Sequence, residues 1–290
     1  MGIRFKFNFV LIVVFIVGFA TAGAVSFQLL QENARDEVLR NASLMMESAY
    51  SVRTYTVEQI QPKLIGQLDK VFMPQTVPAY AATETFIELK KKYPDFSYKE
   101  ATLNPTNLRD RASDWEADMI NQFRQRDDVK EIVAERDTPT GRQLYIAKPI
   151  RITNPACLQC HTSAETSPPS MVKVYGVANG FGWQLNDIVG AQVVTVPMDV
   201  PMKKAKKTFE TFIASLFAVF IVIFVILNLM ISYLIINPIR QISRSADKIS
   251  NGEFGEPELS ESGKDEMAVL SSSFNRMRRS LEKAIQMIEE

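Results

Sequence analysis

FIASLFAVFIVIFVILNLMISYLII, residues 212 to 236, decides the architecture of this chain. The uncharged run extends from Thr211 to Ile239, enough helix to cross roughly 30 Å of hydrocarbon. No core helix of a small domain needs such a run, so it reads as a membrane span. A second uncharged run, Phe7 to Gln31, follows Arg4 and Lys6, the arrangement of a cytoplasmic N-terminus. Ala20-Thr21-Ala22 offers a small-residue cleavage site, but the apolar run exceeds the usual signal-peptide length and reads as a retained anchor. Two spans put both chain ends on one side of the bilayer. The expected order is a cytoplasmic N-terminus (1–6), a first span (7–31), an extracytoplasmic domain (32–208), a second span (209–237) and a cytoplasmic segment (238–290). In a bacterial inner membrane the large domain would face the periplasm. Lys203, Lys204, Lys206 and Lys207 oppose the positive-inside trend, which loses force for so long a loop. They read as side chains snorkelling to lipid headgroups.

Composition narrows the function classes. The 290 residues carry 33 Lys+Arg against 33 Asp+Glu, so no net basic charge recommends nucleic acid as a partner. Two Cys cannot build a disulfide framework, and one His cannot supply a His-rich metal site.

Behind the second span, Ile239, Ile242, Ala246 and Ile249 recur at steps of three, four and three. That is the seam of a short parallel coiled-coil helix. Gly252, Gly255, Pro257 and Gly263 mark a connector. Met267, Leu270, Phe274, Met277, Leu281, Ala284 and Ile288 then repeat the three–four alternation, with Asp265 and Glu266 at the helix start. With Pro238 at its head, this helix–connector–helix resembles a HAMP linker, although the family usually has a small branched residue and Gly where Met267 and Ala268 stand. The resemblance implies a dimeric four-helix bundle. Independently, one seam cannot bury itself, which also points to a homodimer. No phosphate-cradling loop or catalytic constellation follows residue 240, so any effector is expected to be a separate cytoplasmic protein.

All the Cys and His of the chain stand in Cys157-Leu158-Gln159-Cys160-His161. This is the arrangement that attaches c-type haem: two thiols add to the porphyrin vinyl groups and the adjacent His ligates iron. One haem c per chain is expected, held by Cys157 and Cys160 with His161 axial. Zinc normally wants four such ligands, and only three exist. A thioredoxin-like pair needs a following helix, which Pro168-Pro169 interrupts. For the second axial position there is no other His and no third Cys, leaving Met, Tyr, water or nothing. Met45, Met46, Met73 and Met171 are possible, and Met46 is singled out; Tyr50 and Tyr55 are further candidates, with buried aromatic packing the preferred reading.

The domain between the spans reads as a helix from Glu32 to about Ile60 ended by Pro62, then a helix over Thr83–Lys92. A strand is expected over Phe96–Leu103 and a turn at Asn104-Pro105-Thr106-Asn107. A helix over Ala112–Arg124 has Ser113 or Asp114 as cap. Strands at Val129–Glu135 and Gln143–Arg151 join across Thr138–Gly141, and a buried strand lies within Asp187–Pro197. Helices flanking a small antiparallel sheet make an α+β domain of PAS type. Arg53-Thr54-Tyr55-Thr56, Pro74-Gln75-Thr76-Val77-Pro78-Ala79, Leu103-Asn104-Pro105-Thr106-Asn107 and Phe181-Gly182-Trp183-Gln184, with the haem motif, resemble a family of extracytoplasmic haem-c domains, long catalogued as a domain of unknown function and commonly found before HAMP linkers. The similarity covers roughly residues 32 to 205 and implies a PAS-like fold, covalent haem and a sensing role. Arg53, Lys148 and Arg151 are candidates to pair with the haem propionates.

Two functions follow. The first is a membrane-bound sensor passing a redox or small-gas signal through the HAMP seam. The second is a membrane-anchored periplasmic electron-transfer cytochrome, which has no need of a cytoplasmic two-helix relay. With His161 engaged, no acid–base pair stands out for an enzyme.

Overall fold

The computed structural model describes residues 2–289; Met1, Glu290 and the side chains of Ile288 and Glu289 lie outside the described residues. The side chain of the last seam position, Ile288, therefore lies outside the described residues. The chain divides into two units, residues 28–208 and residues 1–27 with 209–290.

In the 28–208 unit, four strands form one antiparallel sheet: β1 (Ser97–Thr102), β2 (Ile132–Thr138), β3 (Gly141–Arg151) and β4 (Ile188–Pro197), in spatial order β1-β4-β3-β2. β4 is central, and its run of buried residues reads as a near-continuous apolar string for that reason. Gly190 is required there, because a Cβ would strike the Ala101 carbonyl of β1. β2 and β3 form a hairpin closed by the Thr138–Gly141 pair, where Gly141 takes a φ of 118°.

Helices cover both faces. α1 (Ile3–Tyr55) lays Val38, Ala42, Met45, Met46 and Ala49 on Leu144, Ile146, Val194 and Val196, joined by Phe86 of α3 (Pro78–Lys92) and by Tyr98. On the opposite face α4 (Asp114–Gln125) packs Met119, Ile120 and Phe123 against Ala101, Ala147, Ala191 and Val193. The period-two alternation of β4 supplies both cores. Ser113 caps α4, its N–H and hydroxyl both donating to the Glu116 carboxylate at 2.7 and 2.8 Å.

Pro62 does not end the first helix. A π-turn (Thr56–Ile60) intervenes, with Gln61 N–H bonded to Thr56 O, and α2 (Gln61–Leu64) continues with Pro62 in its first turn. Proline lacks an N–H and its ring crowds the carbonyl four residues back; a widened turn relieves both. Other boundaries shift modestly. α3 begins at Pro78 rather than Thr83, proline suiting a first turn. Two short helices not foreseen, α5 (Leu158–His161) and α6 (Pro169–Tyr175), flank the loop after the Cys-His motif. Tyr50 and Tyr55 are 59 % and 60 % exposed, so the expected buried packing is not found.

In the other unit, the apolar part of α1 and α7 (Asp199–Ile231) are both long and apolar enough to cross a membrane, and none of their most apolar windows is buried within the protein. Such surface is stable only against lipid or another chain. Phe15 stacks on Phe220 at 4.7 Å between centroids, Phe19 meets Phe217 at 6.3 Å, and Phe27 meets Phe209 at 5.4 Å. The reversed order of these pairs makes the two helices antiparallel neighbours. α7 passes into α8 (Asn237–Ser250) through a second π-turn (Ser232–Ile236), again just ahead of a proline, Pro238.

α9 (Glu266–Glu289) starts where Asp265 Oδ1 accepts the Ala268 N–H at 2.9 Å. Asn275, 1 % exposed, fastens the connector. It accepts the Leu259 N–H at 3.1 Å and donates to Leu259 O and to Glu261, both at 2.9 Å. Arg278 donates to the carbonyls of Phe254 and Glu256. Phe274 is buried, whereas the seam residues Leu270, Met277 and Leu281 are 43–50 % exposed in the single chain.

Candidate functional site

The end of the sheet where β1 and β3 finish and β4 begins opens into a cavity of about 1250 Å³, mouth included. Glu100 and Thr102 of β1, Ile150 and Ile152 at the end of β3, and Val189 of β4 form its floor. Arg53, Val57 and Gln61 form one wall, spaced four residues apart across the π-turn. Cys157, Cys160 and His161 all lie on the cavity wall. The helical step from Cys157 into α5 puts the two thiols about one turn apart. Asn154 starts this segment, its side chain accepting the Ala156 N–H at 2.9 Å.

His161 is held on several sides. Its Nδ1 lies 2.7 Å from the Gly180 carbonyl oxygen, and a carbonyl can only accept, so Nδ1 carries the proton. The neutral ring therefore has its lone pair on Nε2, the state required of a metal-ligating imidazole. Burial pushes the His161 pKa down, opposed by the Gly180 hydrogen bond, so the uncharged ring is favoured. The indole of Trp183 stacks on the ring at 3.9 Å between centroids. Gly182 N–H bonds Thr162 O at 3.0 Å and Trp183 N–H bonds His161 O at 3.2 Å, tying the loop to the motif.

That loop is anchored from a distant turn. Asn104 accepts the Gly180 N–H at 3.2 Å and donates to Phe181 O at 3.3 Å. Gly180 has a φ of 86° and sits so close to Thr106 that a Cβ would overlap its side chain. Asn104, Thr106, Gly180 and Trp183 are the supporting residues that sequence reasoning did not assign. Their signal was the glycine-rich run Gly180-Phe181-Gly182-Trp183, but no local rule links position 104 to position 180.

A charge pair links that wall to the floor. Arg53 Nη1 donates to Glu100 Oε2, and the Tyr98 hydroxyl donates to Glu100 Oε1 at 2.7 Å. Burial opposes the Arg53 charge, yet Glu100 more than compensates and the guanidinium pKa is raised. Burial, and then the Glu100 charge, pushes Tyr98 up, keeping it a neutral donor. Burial raises both thiols, with Arg53 pulling Cys157 back and Cys157 adding to the rise at Cys160. Asp110, also on the wall, is pushed up to about 6 by burial, against the pull of Arg109.

The structure thus brings Cys157, Cys160, His161 and Arg53 to one cavity and leaves other candidates elsewhere. Met46 is 1 % exposed in the core under α1 and is not on the cavity wall. Lys148 pairs with Glu47 at 2.8 Å, and Arg151 pairs with Asp127; neither lines the cavity. Among the described residues no group of three or more His, Cys, Asp or Glu side chains is arranged to hold a bare metal ion. The donor set fits haem c: two half-buried thiols, an adjacent imidazole with a free Nε2, and apolar walls from Val57, Ile150, Ile152 and Val189.

The family described as Tll0287-like matches residues 31–197, and the HAMP domain family matches residues 230–283. No curated protein matches the chain. A solved structure entitled "Crystal structure of the cyanobacterial heme-protein Tll0287" is similar at 15 % identity and a TM-score of 0.44, over 56 % of this chain and 95 % of that one. The matched span takes in the whole sheet, the Cys-His motif and the loop that holds His161, and on that match the chain belongs to the Tll0287-like family, with a HAMP domain following.

Proposed function

We propose that this protein is a membrane-bound c-type haem sensor that transmits a redox or small-gas signal across the bacterial inner membrane. Cys157 and Cys160 carry one haem per chain through thioether bonds, and His161 Nε2 ligates its iron. The convergence of these three residues on one cavity, with Gly180 fixing the His161 proton on Nδ1, carries the reading. Bound there, haem supplies an iron whose charge changes by one electron and whose coordination sphere can admit a small gas. Arg53 presents a fixed positive charge to the cavity, suited to a propionate, while Glu100 and Tyr98 hold it in place.

The PAS-like haem domain faces the periplasm and the HAMP domain the cytoplasm. The protein works as a homodimer: Leu270, Met277 and Leu281 line a seam that a second copy would bury as a four-helix bundle. Two packings of such a bundle form a bistable element that the haem state biases. The HAMP domain hands the signal to a cytoplasmic effector.

Two measurements test this. Protein made with haem-attachment machinery should keep its haem through denaturing electrophoresis, and Cys157→Ala with Cys160→Ala should abolish it. A Leu270→Cys variant should cross-link to different extents in oxidised, reduced and CO-exposed protein. Identical cross-linking in all states removes the sensing role. Electron transfer to a redox partner that survives loss of residues 238–290 would make the protein a carrier instead.

A further inference from the structure

The iron of the proposed haem has a second axial position, and the inference below rests on the haem reading. Among the described residues, the cavity wall holds one methionine, Met171, 2 % exposed. It stands on α6, an element fixed at several points. The Met171 N–H donates to Pro168 O at 2.9 Å, and the Ser170 hydroxyl donates to the Leu68 carbonyl. The Tyr175 ring meets Phe72 edge-on at 5.6 Å. α6 is also a different element from the Gly180–Trp183 loop that backs His161.

Other donors on the wall are engaged or chemically unsuited. Glu100 accepts from both Arg53 and Tyr98. Burial raises Tyr175, so its phenol stays protonated. Tyr80 lies beneath the Arg109 guanidinium at 4.9 Å, and Asp110 lies beside the same arginine at 3.7 Å. A neutral thioether is a good ligand for haem iron and needs no deprotonation.

We propose that the Met171 thioether is the second protein ligand of the haem iron, beside His161. A thioether in that position favours ferrous iron and competes with gases for it, which makes electron transfer the favoured input.

The test uses the full-length protein in detergent. The ferric wild type should be low-spin with the weak far-red sulfur-to-iron charge-transfer band, and the ferrous form should bind CO slowly. Met171→Leu should lose the band, turn high-spin, bind CO without delay and show a lower midpoint potential. Met171→His should stay low-spin without the band, which keeps the test decisive if the Leu variant does not fold. Met46→Leu should match the wild type. A wild type lacking the band, or a Met171→Leu spectrum unchanged from wild type, overturns the assignment. Loss of haem from the wild type on denaturing electrophoresis would instead overturn the haem reading beneath it.

Discussion

His161 Nδ1 and the Gly180 carbonyl oxygen are 2.7 Å apart, and this contact settles which imidazole nitrogen is left to face a metal. The carbonyl is in place because Gly180 takes a φ of 86° and passes close against Thr106. Gly180→Ala should therefore move the carbonyl. The cost is on the order of 1–2 kcal/mol for the backbone alone, with the clash in addition. The expected outcome is lower haem occupancy and a shifted midpoint potential, read by haem staining and spectroelectrochemistry. A potential equal to wild type would show that Gly180 does not orient the ligand.

The Arg53–Glu100 pair gives a prediction about stability. Glu100 is 3 % exposed and its carboxylate depends on Arg53 and Tyr98. Arg53→Met strands a buried charge and should cost about 3–5 kcal/mol. Glu100→Gln in the same variant removes that charge and should recover most of the loss. Urea denaturation of the four members of the cycle measures the coupling.

Asp110 predicts a pH dependence. Its carboxyl sits at about 6 against an ordinary 3.8, burial being the main cause; Glu100 and Glu84 add to the rise, and Arg109 and Lys99 oppose it. A carboxyl raised in the folded state binds its proton more tightly there. Its contribution is then fully favourable below 3.8 and is lost as pH rises through about 6. Asp110→Asn should gain stability relative to wild type by on the order of 2 kcal/mol between about pH 4.5 and about pH 7.5. Parallel stability curves for the two proteins would contradict it.

The exposed seam of α9 predicts an oligomeric effect. Met277 is 50 % exposed in the single chain, so Met277→Lys should leave each chain's own packing intact. Placed opposite its copy in the proposed homodimer, the added charge should shift the protein to monomer. Light scattering in detergent, against Asn251→Lys as a charge control outside the seam, measures the mass. An unchanged dimer would place the interface elsewhere.

Asn275 predicts the opposite pattern. Its buried amide makes three hydrogen bonds to the connector, so Asn275→Ala should cost about 1–3 kcal/mol and free Leu259 and Glu261. Faster amide exchange confined to the connector around Leu259 would be the signature.

Legibility varied with the range of the interaction. The two apolar runs, the two helices behind the second run and the strand within 188–197 are legible in the sequence, because each depends on the composition or periodicity of one element alone. Ser113 was readable as a cap for the same local reason. Pro62 misled, since nothing nearby announces that a π-turn will carry the helix past it. Met46 and Met171 look equivalent in a sequence; one packs in the core under α1 and the other lines the cavity.

The sequence by itself determined the Cys157-Leu158-Gln159-Cys160-His161 motif on which the haem proposal rests, because no fold can change that spacing. It also determined the two long apolar helices and the helix–connector–helix that follows, since hydrophobic pattern needs no distant partner. Only the tertiary structure decided what lines the cavity and holds the imidazole: Gly180 against Nδ1, Asn104 clamping Gly180, Arg53 against Glu100, and Met171 on the wall. Those contacts join residues tens of positions apart, and a hydrogen bond or a shared cavity leaves no mark in the order of amino acids until the sheet brings its ends together.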